Sequence, residues 1–366
     1  MSVLIFFIIL FILVLSHEFG HFIVAKSCGM RVDEFGFGFP PRLFGIKRGG
    51  TLYSINLIPF GGFVKILGED PLEGSIDGKP PTDSFAGKPR YMQALVISAG
   101  VAFNFLLAWL LISLGLMVGL PTPSSATAEG AQVENARLLI TNVRPQSPAD
   151  RAGLKPGDEI IYLTGNGTTV DYPTPAAVQE YVAKSGTQQI SLGYRRGDDV
   201  TKTVVLRPEK APDGGKPVIG IAMDSIGIVR LPLFAALARG LDTTLALAYG
   251  TTLALADFLR GLFTGSGTAE GVTGPVGIVG LVGDARGLGL SYLLGLTAVI
   301  SVNLAVINMV PFPALDGGRM LFIIIESIRR KSLSPKIANA LNAAGFVALI
   351  GLMIFLTVGD IARLTN

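Results

Sequence analysis

Two histidines and a glutamate lie together near the start of the chain, where residues 17–21 read His-Glu-Phe-Gly-His. On a helix, residues four positions apart share a face, so His17 and His21 can bind one metal ion while Glu18 acts beside it as a general base. The chain has two histidines in all, and both belong to this motif. Two helical histidines satisfied by their neighbours are the alternative. The spacing around a carboxylate favours a zinc (Zn2+) site with Glu18 as its catalytic residue.

The motif is embedded in an apolar segment. Residues 1–15 contain no charged side chain, and Phe-Ile-Val-Ala at 22–25 resumes the apolar run. The whole of residues 2–25 is long enough to cross a hydrocarbon layer of about 30 Å. Ionisable groups at that depth are costly to bury and usually mark function. We therefore expect the site to lie inside a spanning helix that is retained and not cleaved as a signal peptide.

The composition indicates a helical integral membrane protein that has the lipid bilayer as its surroundings. Of the 366 residues, 49% are hydrophobic and 16% are charged, and the mean hydropathy is +0.54. The net charge of +3 is small and no basic cluster with interleaved aromatic residues stands out, so we predict no nucleic-acid partner. The single cysteine, Cys28, excludes an internal disulfide and a cysteine-based structural zinc site.

Three further uncharged stretches have spanning length, at residues 91–125, 288–315 and 338–359. Lysine and arginine are concentrated between the first and second spans and again between the third and fourth. Because short cytosolic connectors are enriched in these residues, both connectors are predicted to be cytosolic. The N-terminus, the central region and the C-terminus then face the opposite side of the membrane.

The first connector contains a predicted β region at residues 31–67, where glycine and proline punctuate alternating aromatic and β-branched residues. These short strands are apolar enough to dip into the membrane beside the first span. A strand edge there can take an extended substrate by β-addition, and we place candidate substrate-binding residues at Gly36, Gly38, Ile55 and Leu57. A surface hairpin without substrate contact is the alternative. Residues 69–89 are predicted to form a loop.

In the second span, Gly100 precedes Asn104 by one helical turn. A small residue followed by an asparagine allows close helix approach and an interhelical hydrogen bond. This pair could hold the second span against the metal helix, or it could serve packing elsewhere in the bundle.

Residues 128–208 have the composition of a soluble domain. A strand pattern at 138–143 is followed by a short helix, a turn and a strand at 147–161 and by a helix at 174–184. The run Pro-x-Ser-Pro-Ala…Ala-Gly-Leu-x-x-Gly-Asp-x-Ile resembles the PDZ modules of proteases. The resemblance implies a groove beside an open strand edge that could receive a peptide ligand. A steric gate without a ligand is the alternative.

Residues 231–263 are apolar but interrupted by charged side chains. Hydropathy alone would allow a fifth span, but such a crossing would place the second catalytic motif on the wrong side of the membrane. We therefore predict an amphipathic helix at the outer surface. Residues 274–280 are predicted to form a small-residue turn before the third span.

The third span ends in Asn308-Met-Val-Pro-Phe-Pro-Ala-Leu-Asp316-Gly-Gly. Its two prolines unwind the helix, which is tolerated at membrane depth only where the backbone is buried in protein or lines a cavity. Asp316 is then an intramembrane carboxylate that needs a cationic partner. Catalytic zinc takes three protein ligands, so Asp316 is the candidate third ligand beside His17 and His21. A helix-capping aspartate at a membrane boundary is the alternative.

Together, these motifs make the chain similar to the site-2 protease family of intramembrane zinc metalloproteases, and closely to its bacterial RseP-like branch. The matching pieces occur in the family's order: His-Glu-Phe-Gly-His, Gly-x-x-x-Asn, a PDZ insertion, Gly-Pro-Val-Gly-Ile, and Asn-x-x-Pro-x-Pro-x-Leu-Asp-Gly-Gly. One departure is the room for a single PDZ domain, where the best-known RseP-like members carry two. That difference concerns how substrates are filtered by size.

The resemblance implies an intramembrane endopeptidase in which Glu18 moves protons and Asn308 bonds the substrate backbone or the developing oxyanion. It implies single-span membrane proteins as substrates, of the anti-sigma-factor type and already cut once outside the cytosol, together with leftover signal peptides. The implied location is the bacterial inner membrane, with the PDZ domain in the periplasm. A catalytically silent scaffold and a transporter are rival hypotheses.

The expected fold is a polytopic α-helical membrane protein with four transmembrane helices, a membrane-associated β-hairpin region and an inserted α+β PDZ domain. The expected segments are the first transmembrane helix (1–30), the β-loop and linker (31–90), the second transmembrane helix (91–125), the PDZ domain (128–224), the amphipathic segment (225–285), the third transmembrane helix (286–319), and the cytosolic connector with the fourth transmembrane helix (320–366).

Overall fold

A computed structural model describes residues 1–69, 81–123, 133–165, 167–197, 200–211, 215–264, 273–331 and 333–365. The chain divides into two compact units, Met1–Leu114 with Leu233–Asn366, and Gly115–Pro232. Most of the predicted loop at 69–89 and the predicted start of the PDZ domain at 128 lie outside the described residues.

The helices and strands follow one another in this order: α1 Ser2–Ser27, β1 Val32–Arg48, β2 Thr51–Ile66, α2 Arg90–Val118, β3 Leu120–Pro123, β4 Val133–Val143, α3 Pro148–Arg151, β5 Glu159–Gly165, β6 Thr168–Asp171, α4 Pro175–Ser185, β7 Ile190–Arg195, β8 Lys202–Leu206, β9 Glu209–Lys210, β10 Pro217–Val218, β11 Ile221–Val229, α5 Leu233–Thr264, α6 Pro275–Leu288, α7 Leu290–Met309, α8 Asp316–Arg329 and α9 Pro335–Thr365.

Four helices of the described chain are long and apolar enough to cross a membrane, which confirms the predicted set of four spans. They are Ser2–Ser27, Arg90–Val118, Leu290–Met309 and Lys336–Ala362. The second ends earlier than residue 125, because Gly119 has a φ of +117°, which a helix cannot continue, and a strand begins at Leu120.

Strands β1 and β2 are antiparallel, and each one bends. Together they form a sheet of four strand segments, which we call rungs. Phe35 pairs with both Tyr53 and Val64, and Tyr53 pairs with both Phe35 and Ile46. The resulting order is 62–66, 32–37, 51–56 and 42–48. The sequence predicted short strands here, and the structure instead has two long strands that turn near Gly38 and Gly61, both at positive φ.

Helix α1 is held by different partners at its two ends. Its first half packs on α6 and α7, with Ile9, Leu13 and Val282 buried together. Its second half packs on the sheet and on α2, with Ala25, Val32 and Val96 buried among other apolar residues. The helix that carries the His-Glu-x-x-His motif is therefore packed against other elements at both ends.

Helix α5 runs beside two spanning helices. The Trp109 indole N–H of α2 donates to Leu237 O at 2.8 Å, and Thr251 Oγ1 donates to Asn303 Oδ1 of α7 at 2.8 Å. A placement at the outer membrane surface stays a prediction for this segment, and the structure adds these two contacts with spanning helices.

The predicted turn at residues 274–280 is wrong, because these residues start helix α6. Gly274 is the N-cap and Pro275 occupies the first helical turn, where a missing N–H and a fixed φ suit proline. These small residues, from which a turn was predicted, form the first turns of α6. This helix packs against α1, α7 and α9.

An aspartate near the end of α9 caps the start of α6. Asp360 is 5% exposed, and its carboxylate accepts hydrogen bonds from the N–H groups of Gly274 (3.2 Å) and Gly277 (2.8 Å). We expect Asp360→Ala to lower the free energy of unfolding by about 1–3 kcal/mol, because it leaves buried helix-end donors without an acceptor. Thermal unfolding in detergent micelles measures this.

The matched control is Asp257→Ala. The Asp257 side chain is 75% exposed, and it pairs with Arg260 at 3.6 Å within one exposed helix face. Such pairs contribute about 0–1 kcal/mol, so this change should leave the unfolding midpoint almost unaltered. Equal shifts for both variants would contradict the capping role of Asp360.

The second unit is an α+β domain built on a sheet with the strand order β3-β11-β4-β5-β7-β8, with β6 paired to β5. Its core contains Ile140, Leu163, Val178 and Leu192, each less than 2% exposed. Buried Asp158 binds Arg196 at 2.6 Å and accepts from the Lys155 N–H at 2.8 Å, which fixes the turn before β5. The strand, helix, strand and helix predicted from the sequence are present, in order, as β4, α3, β5 and α4.

Candidate metal centre

Helix α1 places His17 and His21 one turn apart with their ring planes nearly perpendicular, at 82°. The two Nε2 atoms lie 3.1 Å apart. His21 Nδ1 donates to Val96 O at 2.8 Å, since a carbonyl can only accept, and the Nε2 lone pair is therefore directed to the other side of the ring. Both side chains are nearly buried, with 11% and 12% of their surfaces exposed.

A tight turn after α7 delivers Asp316 to the histidines. Ala314 lies in the left-handed region, with φ +75°, and its N–H donates to Asn342 Oδ1 of α9 at 3.3 Å. Gly317 and Gly318 then start α8, and a Cβ on either one would strike backbone atoms of residues 309–313. Because neither position has room for a side chain, the Gly-Gly pair allows α8 to begin in direct contact with the preceding turn.

The three predicted ligands meet at one point. Asp316 Oδ2 lies 3.0 Å from His17 Nε2 and 3.3 Å from His21 Nε2, and the possible ligand atoms all lie within 4.8 Å of one another. Tetrahedral zinc with ligands at about 2.0–2.1 Å places its ligand atoms about 3.3 Å apart, so the three atoms fit this ion.

The buried carboxylate supports the same fit. Among the described residues, Asp316 Oδ2 is a buried oxygen with no hydrogen-bond partner. It lies within 3.3 Å of two imidazole nitrogens. A buried carboxylate is costly without a cationic partner, so a cation that all three atoms share accounts for the arrangement. The residues present therefore fit a zinc ion.

Helix α2 approaches this centre through small residues. A Cβ on Gly100 would lie 2.7 Å from His17 Cε1 and would also strike His21 Nε2, and a Cβ on Gly20 would strike the backbone of Ala99. Asn104 lies one turn after Gly100, and its side-chain amide is in contact with His17 Nδ1, with Nδ2 at 3.3 Å. Of the two roles left open by the sequence, the contacts favour packing against the metal helix.

Glu18 lies directly beneath the β-sheet. A Cβ on Gly62, in the outer rung 62–66, would lie 3.0 Å from Glu18 Cγ and 2.8 Å from Val14 Cγ1. The backbone of the outer rung therefore packs directly against the side chain of Glu18, the candidate general base. Sequence reasoning missed Gly62, because nothing in Gly61-Gly62 indicates which residue faces α1.

An ion pair beside the centre also escaped sequence reasoning. Arg319, one turn after Asp316 on α8, binds Glu69, which lies just beyond the outer rung of the sheet. The pair joins the end of β2 to the helix that presents Asp316. The sequence signal was available in the Asp-Gly-Gly-Arg run, but the identity of its acidic partner depends on the tertiary fold.

The structure places the other candidate substrate residues in two parts of the fold, the end of α7 and the β1–β2 sheet. Asn308 is half-buried in the last turn of α7 and, within the described chain, makes no hydrogen bond to His17, His21 or Asp316. Gly36 and Ile55 belong to inner rungs that are paired on both sides. Ile55 and Leu57 are 53% and 54% exposed, whereas Gly38 sits at a bend, with φ +80°.

We expect Gly62→Val to reduce proteolysis strongly, at least ~10-fold, because its side chain would push the outer rung away from α1 by steric overlap. Gly62 has an ordinary backbone φ, so the substitution changes the available space and not the allowed conformation. The rate of cleavage of a purified single-span reporter in micelles measures the effect.

Gly280→Ala is the control, because its added methyl group meets nothing within 4 Å. It should retain native cleavage. An active Gly62→Val enzyme would show that the strand need not approach Glu18.

These residues and their arrangement identify the class of protein. A helical membrane protein with a buried His-His-Asp centre, and with a glutamate beside it, has the arrangement of a membrane-embedded metalloprotease. The model of peptidase family M50 matches residues 5–352, and the chain belongs to this family.

Named relatives agree with that membership. A Clostridium perfringens protein that is named among the zinc metalloproteases is 38% identical over 356 residues, covering 95% of both chains. Zinc metalloprotease RasP of Shouchella clausii is 29% identical over 442 residues, covering 100% of both. The regulator of sigma-W protease RasP of Bacillus subtilis is 28% identical over 439 residues, covering 99% of both.

The predicted membership in the site-2 protease family is confirmed, and so are the predicted enzyme class, zinc metalloprotease, and its zinc cofactor. The rival scaffold and transporter hypotheses are not supported. The roles of individual residues stay predictions that the geometry supports.

Proposed function

We propose that this chain is an intramembrane endopeptidase that cuts single-span membrane proteins within their membrane segment. The observation that carries the proposal is the convergence of His17, His21 and Asp316 within 4.8 Å, inside a bundle whose first helix is a membrane span. His17, His21 and Asp316 are the proposed zinc ligands. Glu18 is the proposed general base.

The chemistry requires a nucleophilic water and a proton carrier. Zinc held by the three ligands supplies Lewis acidity, which makes water nucleophilic near neutral pH and polarises a carbonyl group. The Glu18 carboxylate takes the proton of the attacking water and returns it to the leaving nitrogen. Asn308 donates from its side-chain amide to the substrate backbone or to the oxygen on which charge develops.

The sheet positions the substrate. A helical substrate hides its carbonyl groups, so it has to be extended before cleavage, and pairing with a strand edge extends it. The outer rung 62–66 offers such an edge directly over Glu18, since its other side is already paired with residues 32–37. Gly36, Gly38, Ile55 and Leu57 then act as the support and the apolar side-chain surface behind this edge.

The proposed substrates are proteins of the anti-sigma-factor type that have already been cut once outside the cytosol, together with leftover signal peptides. The name of the Bacillus subtilis relative, regulator of sigma-W protease, supports a role in sigma-factor control. The proposed location is the inner membrane, where the basic connectors face the cytosol and the second unit faces the periplasm.

We also propose that the second unit is a PDZ domain with a peptide groove. Strand β11 pairs with β4 on one side, but with β3 only from Ile226 onward, so among the described residues the edge at 221–225 has no paired strand on that side. A cavity of about 750 Å³ lies between this edge and Val178 and Val182 of α4, with Arg144 and Lys216 in its lining. An apolar cleft with cations suits a chain terminus that carries a carboxylate.

Substrates can be identified in cells that express either the native chain or its Glu18→Gln form. The proposal expects uncut membrane stubs to accumulate with the variant and shorter fragments to appear with the native chain. Identical fragment profiles would overturn it.

A further inference from the structure

A histidine that binds a metal through one nitrogen usually donates the N–H of the other nitrogen to a fixed acceptor, which sets its tautomer and ring orientation. His21 meets this requirement with a backbone carbonyl, Val96 O, at 2.8 Å. His17 Nε2 faces the proposed metal position, 3.0 Å from Asp316 Oδ2. Its Nδ1 faces a side chain instead.

That side chain is Asn104 of α2, which is 0% exposed. Its Nδ2 lies 3.3 Å from His17 Nδ1, while its Oδ1 is buried and has no hydrogen-bond partner among the described residues. A half-turn of the amide exchanges Nδ2 and Oδ1 without moving the rest of the side chain. In that orientation Asn104 Oδ1 accepts a hydrogen bond from His17 Nδ1–H, so the buried oxygen gains a partner.

We propose that Asn104 is a positioning residue that holds His17 in the tautomer with an Nε2 lone pair, by accepting a hydrogen bond from Nδ1–H. The inference rests on the proposed function, in which His17 is a zinc ligand. It gives the two histidines different kinds of support, since a substitution can remove the acceptor of His17 but not the backbone acceptor of His21.

Neighbouring residues leave the Asn104 side chain free to face His17. Ser301 Oγ of α7 donates to the backbone O of Asn104 at 2.8 Å and makes no bond to its side-chain amide, and Gly100 leaves the space through which α2 reaches both imidazoles. A buried amide is costly in a membrane span unless it is hydrogen-bonded, so an asparagine whose acceptor is idle is best explained by a donor on His17.

The test compares zinc affinity, by chelator competition in detergent micelles, for the native chain, Asn104→Leu, Asn104→Asp and Ser301→Ala. Leucine removes the acceptor at similar volume, and we expect a loss of about 10–100-fold in zinc affinity. Aspartate is an acceptor without a donor, so it should keep the native affinity or exceed it. Ser301→Ala removes a neighbouring buried hydrogen bond, and it should change the unfolding temperature of the zinc-free protein but not the zinc affinity.

Native affinity in Asn104→Leu would overturn the inference, and so would a loss in Asn104→Asp that matches the loss in Asn104→Leu. A loss in Ser301→Ala as large as that in Asn104→Leu would assign the effect to general packing. Failure of the native chain to bind zinc would instead refute the proposed function, so the two failures are distinguishable.

Discussion

Replacing Glu18 by glutamine is expected to lower the rate of peptide-bond hydrolysis by about 10²–10⁴-fold, the usual contribution of general acid–base catalysis. Glutamine keeps the size of the side chain and can still hydrogen-bond, but it cannot accept and return a proton. The zinc content should remain native, because the proposed ligands are His17, His21 and Asp316. Single-turnover cleavage of a purified single-span substrate, together with metal analysis, measures both quantities.

Glu180→Gln is the matched control for this prediction. Glu180 lies on exposed α4 in an ion pair with Lys184 at 2.6 Å, and it has no part in the proposed chemistry. We expect it to cleave at the native rate. If Glu18→Gln were equally active, another group would have to carry the proton.

Replacing Asp316 by alanine is expected to reduce zinc affinity by at least ~100-fold. Loss of a group that only orients a ligand costs about 10–100-fold, and loss of a ligand should cost more. The variant leaves His17 and His21 as a two-nitrogen site, whereas catalytic zinc takes three protein ligands. Zinc retained after dialysis against a chelator, and activity before and after zinc is added back, provide the measurement.

The control for Asp316→Ala is Asp284→Ala, which removes an exposed carboxylate from α6. This second variant should retain zinc and activity. A zinc-loaded Asp316→Ala protein would mean that the third ligand is a different residue.

The candidate centre was accessible from the sequence because each of its parts has a strong local signal. The helix period fixes His17 and His21 on one face, and the prolines before Asp316 show that a helix breaks at membrane depth. The need of zinc for a third ligand then connects two motifs that are far apart in the chain. The four spans follow from length and hydropathy alone.

Other features depend on tertiary contacts that carry no local signal. Small residues at 274–280 suit a turn and a helix start equally well, and only the carboxylate of Asp360 and the packing of α6 decide for the helix. No secondary structure is predicted for the connector that follows Asp316, although its apolar side chains recur with helical spacing along α8.

The pairing within the β region depends on tertiary contacts to an even greater degree. Gly and aromatic punctuation predicts strands, but the pairing of Tyr53 with both Phe35 and Ile46 follows from bends that local patterns do not specify. The approach of Gly62 to Glu18, and the pairing of Arg319 with Glu69, likewise appear only when the whole unit is assembled.

The centre draws its first two side chains from α1 and its third from the start of α8, so most of the polypeptide separates them. During translation, the N-terminal span enters the lipid long before the ribosome reaches Asp316. A nascent or truncated chain thus holds an imidazole pair without its carboxylate. The proposed three-ligand site therefore cannot assemble until residue 316 has been synthesised.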